Sequence, residues 1–189
     1  MKVIGFIASP RKGGNTAWVV NKILDGAAEA GAQTQAFYAS DLNISPCKGC
    51  LGCYKKDGCV IDDDMQSVYA AFKDADALVL GTPNYMGQMT AQAKTLLDRL
   101  SAQVSPRFSP KFKEANAGKK LILAFTQGNP DADKFKAYYD YTKEMFSILE
   151  FDVKDVIVIA GTRSVAVSER EGLSSEMQAV GLKLVGGVL

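Results

Sequence analysis

Short, nearly continuous apolar runs alternate along this chain with segments whose apolar residues recur at helical spacing, and that alternation leaves few folds open. Residues 2–9, 77–81 and 120–125 are apolar almost throughout, the mark of strands covered on both faces. Residues 33–39 alternate weakly, as an edge strand does, and 153–160 supply a last strand. Between them lie helical patterns over about 15–30, 65–73, 90–103, 133–149 and 174–185. The first carries Val19, Val20, Ile23, Leu24, Ala27 and Ala28 on one face and stops before Gly31, a C′ glycine. The third carries Ala93, Leu96, Leu97 and Leu100, and the last has Leu182 and Val185 for its inner face. Asp62, Asp63 and Asp64 stand where the positive end of the second helix favours negative charge.

Strands joined by helical crossovers imply a parallel sheet with helices on both faces. Five βα units in 189 residues fit one α/β domain over 1–189, doubly wound in the flavodoxin-like order 2-1-3-4-5. Ligands of such sheets sit at the carboxyl ends of the strands, where the strand order reverses. The chemistry is therefore expected in the loops after strands 1, 3 and 4. Two stretches break the rhythm. Residues 41–64 form a long Cys-rich loop inserted after strand 2, and such loops in compact domains are usually functional. Residues 104–118, with two prolines and two phenylalanines, form a surface excursion beside the expected site.

Composition excludes several classes. Histidine is absent, which removes Ser-His-Asp and Cys-His catalysis and every His-ligated metal. A net charge of +1 argues against nucleic acid as a partner. No apolar run approaches the roughly 20 residues of a membrane span, and the first residues lack the features of a signal peptide, so a cytoplasmic location is expected.

Strand 1 runs into Ser9, Pro10, Arg11, Lys12, Gly13, Gly14, Asn15 and Thr16, where the first helix begins. Backbone N–H groups and the dipole of such a turn bind an anion, Gly13 and Gly14 allow close approach, and Ser9, Asn15 and Thr16 add donors beside the cations Arg11 and Lys12. The loop is neither G-x-x-x-x-G-K-[ST] nor G-x-G-x-x-G, so a mononucleotide phosphate fits better than ATP or a dinucleotide. A turn that merely caps the helix is the plainer alternative. Strand 3 leads into Pro83, Asn84, Tyr85, Met86 and Gly87, and strand 4 into Thr126, Gln127, Gly128 and Asn129. Both loops can present backbone groups to a flat heteroaromatic ring, though ordinary turn chemistry would also explain them.

Together the loops over 9–16 and 81–89 and the segment 94–99 resemble the NAD(P)H-dependent FMN reductase superfamily of flavodoxin-like proteins. Within it, Cys47, Cys50, Cys53 and Cys59, followed by the three aspartates and Met65, are similar to the iron–sulfur flavoprotein family. The resemblance implies an FMN site built from the three loops, a [4Fe–4S] cluster on the four cysteines, and a homodimer or tetramer with the cluster near a subunit interface. Two positions depart from the family pattern. Met86 stands where relatives often have Phe, and Asn84, where an apolar residue is common, adds a polar group next to the ring.

The cysteines read the same way on chemical grounds. A C-x2-C-x2-C run wraps one side of a cluster and a later cysteine closes it, with Gly49, Gly52 and Gly58 permitting tight turns. Lys48, Lys55 and Lys56 surround it with positive charge. Structural zinc and metal-free thiols or a disulfide remain alternatives. An FMN that accepts hydride beside a one-electron cluster is a two-to-one electron converter, which needs no protein base. The expected function is electron transfer between a ferredoxin-like donor or NAD(P)H and a small-molecule acceptor. The alternatives are a cluster-free NAD(P)H:FMN or quinone reductase, and a non-enzymatic electron carrier or redox sensor. Trp18 is expected in packing or at the surface, Asp98 and Arg99 in local or interface pairs, and Tyr138, Tyr139 and Tyr141 in the core or a dimer contact.

Overall fold

A computed structural model describes residues 1–56, 58–100, 102 and 117–187. In it β1 (Lys2–Ile7), β2 (Gln33–Tyr38), β3 (Ala77–Pro83), β4 (Lys120–Thr126) and β5 (Asp152–Ile159) form one sheet in the order β2-β1-β3-β4-β5. Every pairing is parallel. The expected topology is therefore the observed one. The helices are α1 (Asn15–Glu29), α2 (Met65–Lys73), α3 (Ala91–Leu100), α4 (Lys136–Ile148) and α5 (Leu173–Gly186). The fourth helix is shorter than expected because a 3-10 turn, Ala132–Phe135, precedes it. The expected C-terminal end of the third helix and residues 104–116 of the excursion lie outside the described residues; Ala117 and Gly118 form a turn into β4.

Period-two alternation divides the strand side chains between two cores. Ile4, Phe6, Leu78, Leu80, Leu121, Leu123 and Phe125 pack with α2, α3 and α4. Val3, Ile7, Val79, Ile122 and Ala124 pack with α1 and α5 on the other face. Burial on both faces explains why β3 and β4 read as unbroken apolar runs, while β2 at the edge shows solvent to half its residues. Trp18 is half-buried against the second core.

Helices α1 and α5 touch backbone to backbone at two glycines. A Cβ on Gly26 would lie 2.0 Å from Gln178 O, and one on Gly181 would lie 2.0 Å from Ile23 O. This contact sets the face of α5. Leu182, expected inside, is exposed, and Leu173, Met177, Gly181 and Leu184 are the buried positions. Close approach also brings α1 to the sheet, where a Cβ on Gly81 would meet Val20 at 2.3 Å. Among the described residues no helix is long and apolar enough to cross a membrane.

Candidate functional site

The loop after β1 delivers the N-terminus of α1 to the carboxyl edge of the sheet. Gly14 is its N-cap, no side chain caps the helix, and its first turn holds no acid, so its leading N–H groups are suited to an anion. Buried Ser9 shapes the turn, its Oγ accepting from Arg11 N at 3.2 Å. A Cβ on Gly13 would meet nothing within 4 Å, so this backbone stands open to a ligand. Two expected donors have other duties. The Asn15 amide donates to Thr162 O and accepts from Val167 N, each at 3.3 Å, and so holds the loop after β5. Thr16 Oγ1 shares a buried hydrogen bond with Thr126 Oγ1 at 2.7 Å. Lys12 pairs with Asp41 at the start of the Cys-rich loop, while Arg11 is exposed.

After β3 the chain makes a two-residue hairpin. Tyr85 N donates to Gln88 O at 2.8 Å and Gln88 N to Tyr85 O at 3.1 Å. Met86 and Gly87 have φ of +52° and +83°, the pattern of a type I′ turn, which glycine adopts readily and methionine does not. Met86 is wholly exposed at the tip and Tyr85 is 42% exposed. The Asn84 side chain bonds within the protein. Its Oδ1 accepts from Gly87 N at 3.0 Å and its Nδ2 donates to Tyr139 Oη at 2.8 Å. Tyr139 Oη in turn donates to Gln127 Oε1. Gln127 is buried, its Nε2 donating to Asn129 O and Asp131 O at 3.2 and 2.6 Å. Asn84 N also donates to Thr126 O at 2.8 Å. These bonds lock the two loops into one unit, and burial raises the Tyr139 phenol above its ordinary pKa. Tyr139 is core, Tyr138 steadies Met89 N through its hydroxyl at 3.1 Å, and Tyr141 is exposed.

The Cys-rich loop is closed at its base by carboxylates. Asp64 Oδ2 accepts from Asn43 N at 2.6 Å, and Asp63 accepts from Ser45 N at 2.9 Å and Met65 N at 3.1 Å. Asp63 also meets Arg99 of α3, with Nη1 to Oδ2 at 2.7 Å and Nη2 to Oδ1 at 3.0 Å. Both side chains are inside, 1% exposed for Arg99 and 6% for Asp63. The aspartates thus do more than start a helix, and Arg99 pairs across the fold rather than locally; Asp98 is the one with a near neighbour, Lys94. The hydrogen bond from Arg99, opposed by burial, holds the Asp63 carboxyl below its ordinary pKa. Arg99 itself is pushed upward: burial works against its charge, but Asp63, Tyr69 and Cys59 outweigh it.

All four cysteines line one small cavity, together with Asp98, Arg99 and Ala102. Cys47 and Cys50 are exposed, and Cys53 and Cys59 are half-buried against the core. Among the described residues no three such side chains already stand close enough to hold an ion. The donor set nevertheless fits a thiolate-held cluster, and Gly49 and Gly58, at φ +60° and +90°, turn the backbone between ligands. Gly52 is needed for another reason than the one expected: a Cβ there would meet Val60 at 2.7 Å. Lys48, Lys55 and Lys56 are exposed on the loop. Cys47 also borders a cleft of about 940 Å³, shared with Gln88, Met89 and Thr90 beyond the hairpin and with Tyr138 and Met145 of α4.

Sequence reasoning missed the loop after β5. Arg163 lies across Gly128, where a Cβ would stand 2.7 Å from its Cγ and Nε, and so presents a second arginine to the carboxyl edge. The rule that ligands gather at strand ends would have reached it, had it been applied to β5 as well.

A sequence model of the NADPH-dependent FMN reductase family matches residues 1–134. An iron-sulfur flavoprotein of Methanosarcina thermophila is 41% identical over 99 residues, 52% of this chain and 52% of that protein. One of Methanocaldococcus jannaschii is 34% identical over 142 residues, 75% of this chain and 70% of the relative. The chain spans about half the length of the first curated relatives it matches. The fold is similar to that of an NAD(P)H:quinone oxidoreductase from Methanothermobacter marburgensis, with a TM-score of 0.72 at 18% identity over 97% of this chain and 96% of the other. The family model over residues 1–134, with a relative 34% identical over three quarters of this chain, places the chain in the iron–sulfur flavoprotein family of the NADPH-dependent FMN reductase superfamily.

Proposed function

We propose that this protein is an FMN-dependent oxidoreductase that passes electrons between a low-potential donor and a small-molecule acceptor through FMN and a [4Fe–4S] cluster. One observation carries the reading: Cys47 and the residues just past the β3 hairpin border the same cleft, so the sulfur loop opens beside the loop that would face the flavin. When bound, FMN supplies two-electron chemistry and the cluster one-electron chemistry.

The chain's own residues do the rest. The leading N–H groups of α1, with Gly13 open and Arg11 near, hold the phosphate. The hairpin at Tyr85, Met86 and Gly87 and the backbone of Thr126 to Asn129 position the ring. Asn84, Tyr139 and Gln127 keep those two loops in register. Cys47, Cys50, Cys53 and Cys59 hold the cluster as thiolates. The exposed Lys48, Lys55 and Lys56 suit an acidic, ferredoxin-like donor, with NAD(P)H as the alternative source of electrons.

Protein purified without oxygen tests this directly. It should contain FMN together with iron and acid-labile sulfide in equal amounts, and a chemical reductant should bleach a broad band near 400 nm. Flavin without iron or sulfide in such a preparation would refute the cluster. Turnover with a reduced nicotinamide that is unaffected by Cys→Ser changes would take the cysteines out of the electron path.

A further inference from the structure

The buried arginine beneath the cysteines carries an unused edge. Arg99 has five N–H donors in a rigid plane. Nη1 spends two, one on Ser45 O at 2.7 Å and one on Asp63 Oδ2 at 2.7 Å. Nη2 spends one on Asp63 Oδ1 at 3.0 Å. Among the described residues the other two, Nε–H and the second Nη2–H, meet no acceptor; they lie side by side on the edge with which a guanidinium grips an anion in bidentate fashion. Among the described residues Arg99 Nε is the one buried side-chain polar atom with no hydrogen-bond partner. An unmet buried donor is costly, so its retention asks for a partner.

The surroundings identify the chemistry of that partner. Arg99 lines the cavity of the four cysteines. Asp63 and Ser45 fix the guanidinium from one end, Tyr69 Oη donates to Arg99 O at 2.6 Å, and the guanidinium carbon sits 6.0 Å from the Tyr69 ring centre. The side chain therefore cannot swing toward solvent to find water. We propose that Arg99 is a positioning residue of the cluster site, whose fixed Nε edge donates to sulfur of the thiolate-bound cluster and whose charge favours the reduced form. The inference rests on the cluster assigned above. Hydrogen bonds to sulfur and local net charge are known levers on cluster potential, and this residue supplies both from a rigid mount.

Two variants separate the contributions. Arg99→Lys keeps a charge and loses the planar edge. Asp63→Asn with Arg99→Gln replaces the ion pair by neutral groups of similar shape and so avoids a stranded buried charge. Each is purified anaerobically beside wild type, assayed for iron, sulfide and far-ultraviolet dichroism, and titrated electrochemically. In the neutral pair the equilibrium for one-electron cluster reduction should fall about tenfold, equivalent to about 59 mV downward. Arg99→Lys should recover part of that shift. A chelator should strip iron from both several-fold faster than from wild type, while exposed Lys183→Gln on α5, remote from the cysteines, shifts neither readout comparably. Should the neutral pair fail to fold, Arg99→Lys alone decides through the same potential and iron loss. Variants that hold a cluster at wild-type potential with wild-type iron loss overturn the role of Arg99 and leave the cluster assignment standing. Wild-type protein that takes up no iron or sulfide overturns both.

Discussion

The hydroxyls of Thr16 and Thr126 meet at 2.7 Å in a contact closed to solvent, joining the first turn of α1 to the last residue of β4. Thr16 belongs to the turn proposed to take the phosphate, and Thr126 opens the second of the two loops proposed to face the ring. The bond fixes these two segments relative to each other, across 110 residues of sequence. Thr90 does similar work nearby, its hydroxyl donating to Ala8 O at 2.6 Å and so tying the segment after the hairpin to the end of β1. Rigid relative placement of these loops would suit a flavin whose phosphate and ring are held by different segments, as proposed above.

Replacing one threonine of the pair by valine leaves the other hydroxyl buried and unmet. Thr16→Val and Thr126→Val should each cost about 1–3 kcal/mol in urea denaturation, and the double variant less than their sum. Additive costs would show that the two hydroxyls do not depend on each other.

The Asp63–Arg99 pair makes stability depend on acid. Because Arg99 lowers the Asp63 pKa from 3.8, the ionised carboxylate stabilises the fold above the ordinary carboxylate range. That contribution is present at neutral pH and is lost as pH falls through the depressed value. Asp63→Asn should destabilise by about 3–5 kcal/mol at pH 7, since it strands a buried guanidinium. The gap to wild type should narrow below about pH 4 in denaturation curves collected across pH. A gap that stays constant down to pH 2 would show that the charge of Asp63 is not what matters.

The strands, their order and the loops that build the site were legible because burial on both faces leaves an apolar run that no other element mimics. The gathering of the cysteines was legible for a different reason: residues this close in sequence stay close in the fold, and all four line one cavity. Arg99 was not. Its partner Asp63 lies 36 residues away, and a lone arginine at the end of an amphipathic helix reads as surface until the fold buries it. The partners of Asn84 were not legible for a similar reason. Its side chain meets Gly87 N and Tyr139, and the second of these lies 55 residues away. Leu182 and Gly181 exchanged places because helical periodicity alone cannot say that α1 and α5 approach at glycine.

That approach predicts an unusual sensitivity in a place remote from the site. Gly181→Ala would put a Cβ 2.0 Å from Ile23 O and 2.6 Å from Ala27 N, both backbone atoms that cannot rotate away. Alanine ordinarily stabilises a helix over glycine by about 1 kcal/mol, so the sign is decided by packing. The helices must separate, and the loss should exceed the roughly 1–3 kcal/mol typical of an overpacked core. Thermal melts of Gly181→Ala and of Gly186→Ala, whose added Cβ would meet nothing within 4 Å, should move in opposite directions or differ widely.

Met86 offers the sharpest separation of stability from ligand binding. Its φ of +52° is a left-handed conformation that costs an ordinary side chain about 1 kcal/mol or more, and its side chain is fully exposed. A strained residue that gains nothing from the protein around it is the kind found at ligand sites. Asn-Gly is the preferred pair for a type I′ turn, so Met86→Asn should relieve the strain and raise the stability of flavin-free protein by about 0.5–1 kcal/mol. If the thioether lies against the flavin, the same change removes apolar contact and should weaken FMN about tenfold, a loss of about 1.4 kcal/mol within the range for covering one methionine side chain. Both quantities come from one preparation, the first by denaturation without flavin and the second by quenching of flavin fluorescence on titration. Gained stability with unchanged affinity would place Met86 away from the ring; lost affinity without gained stability would show that the turn was never strained.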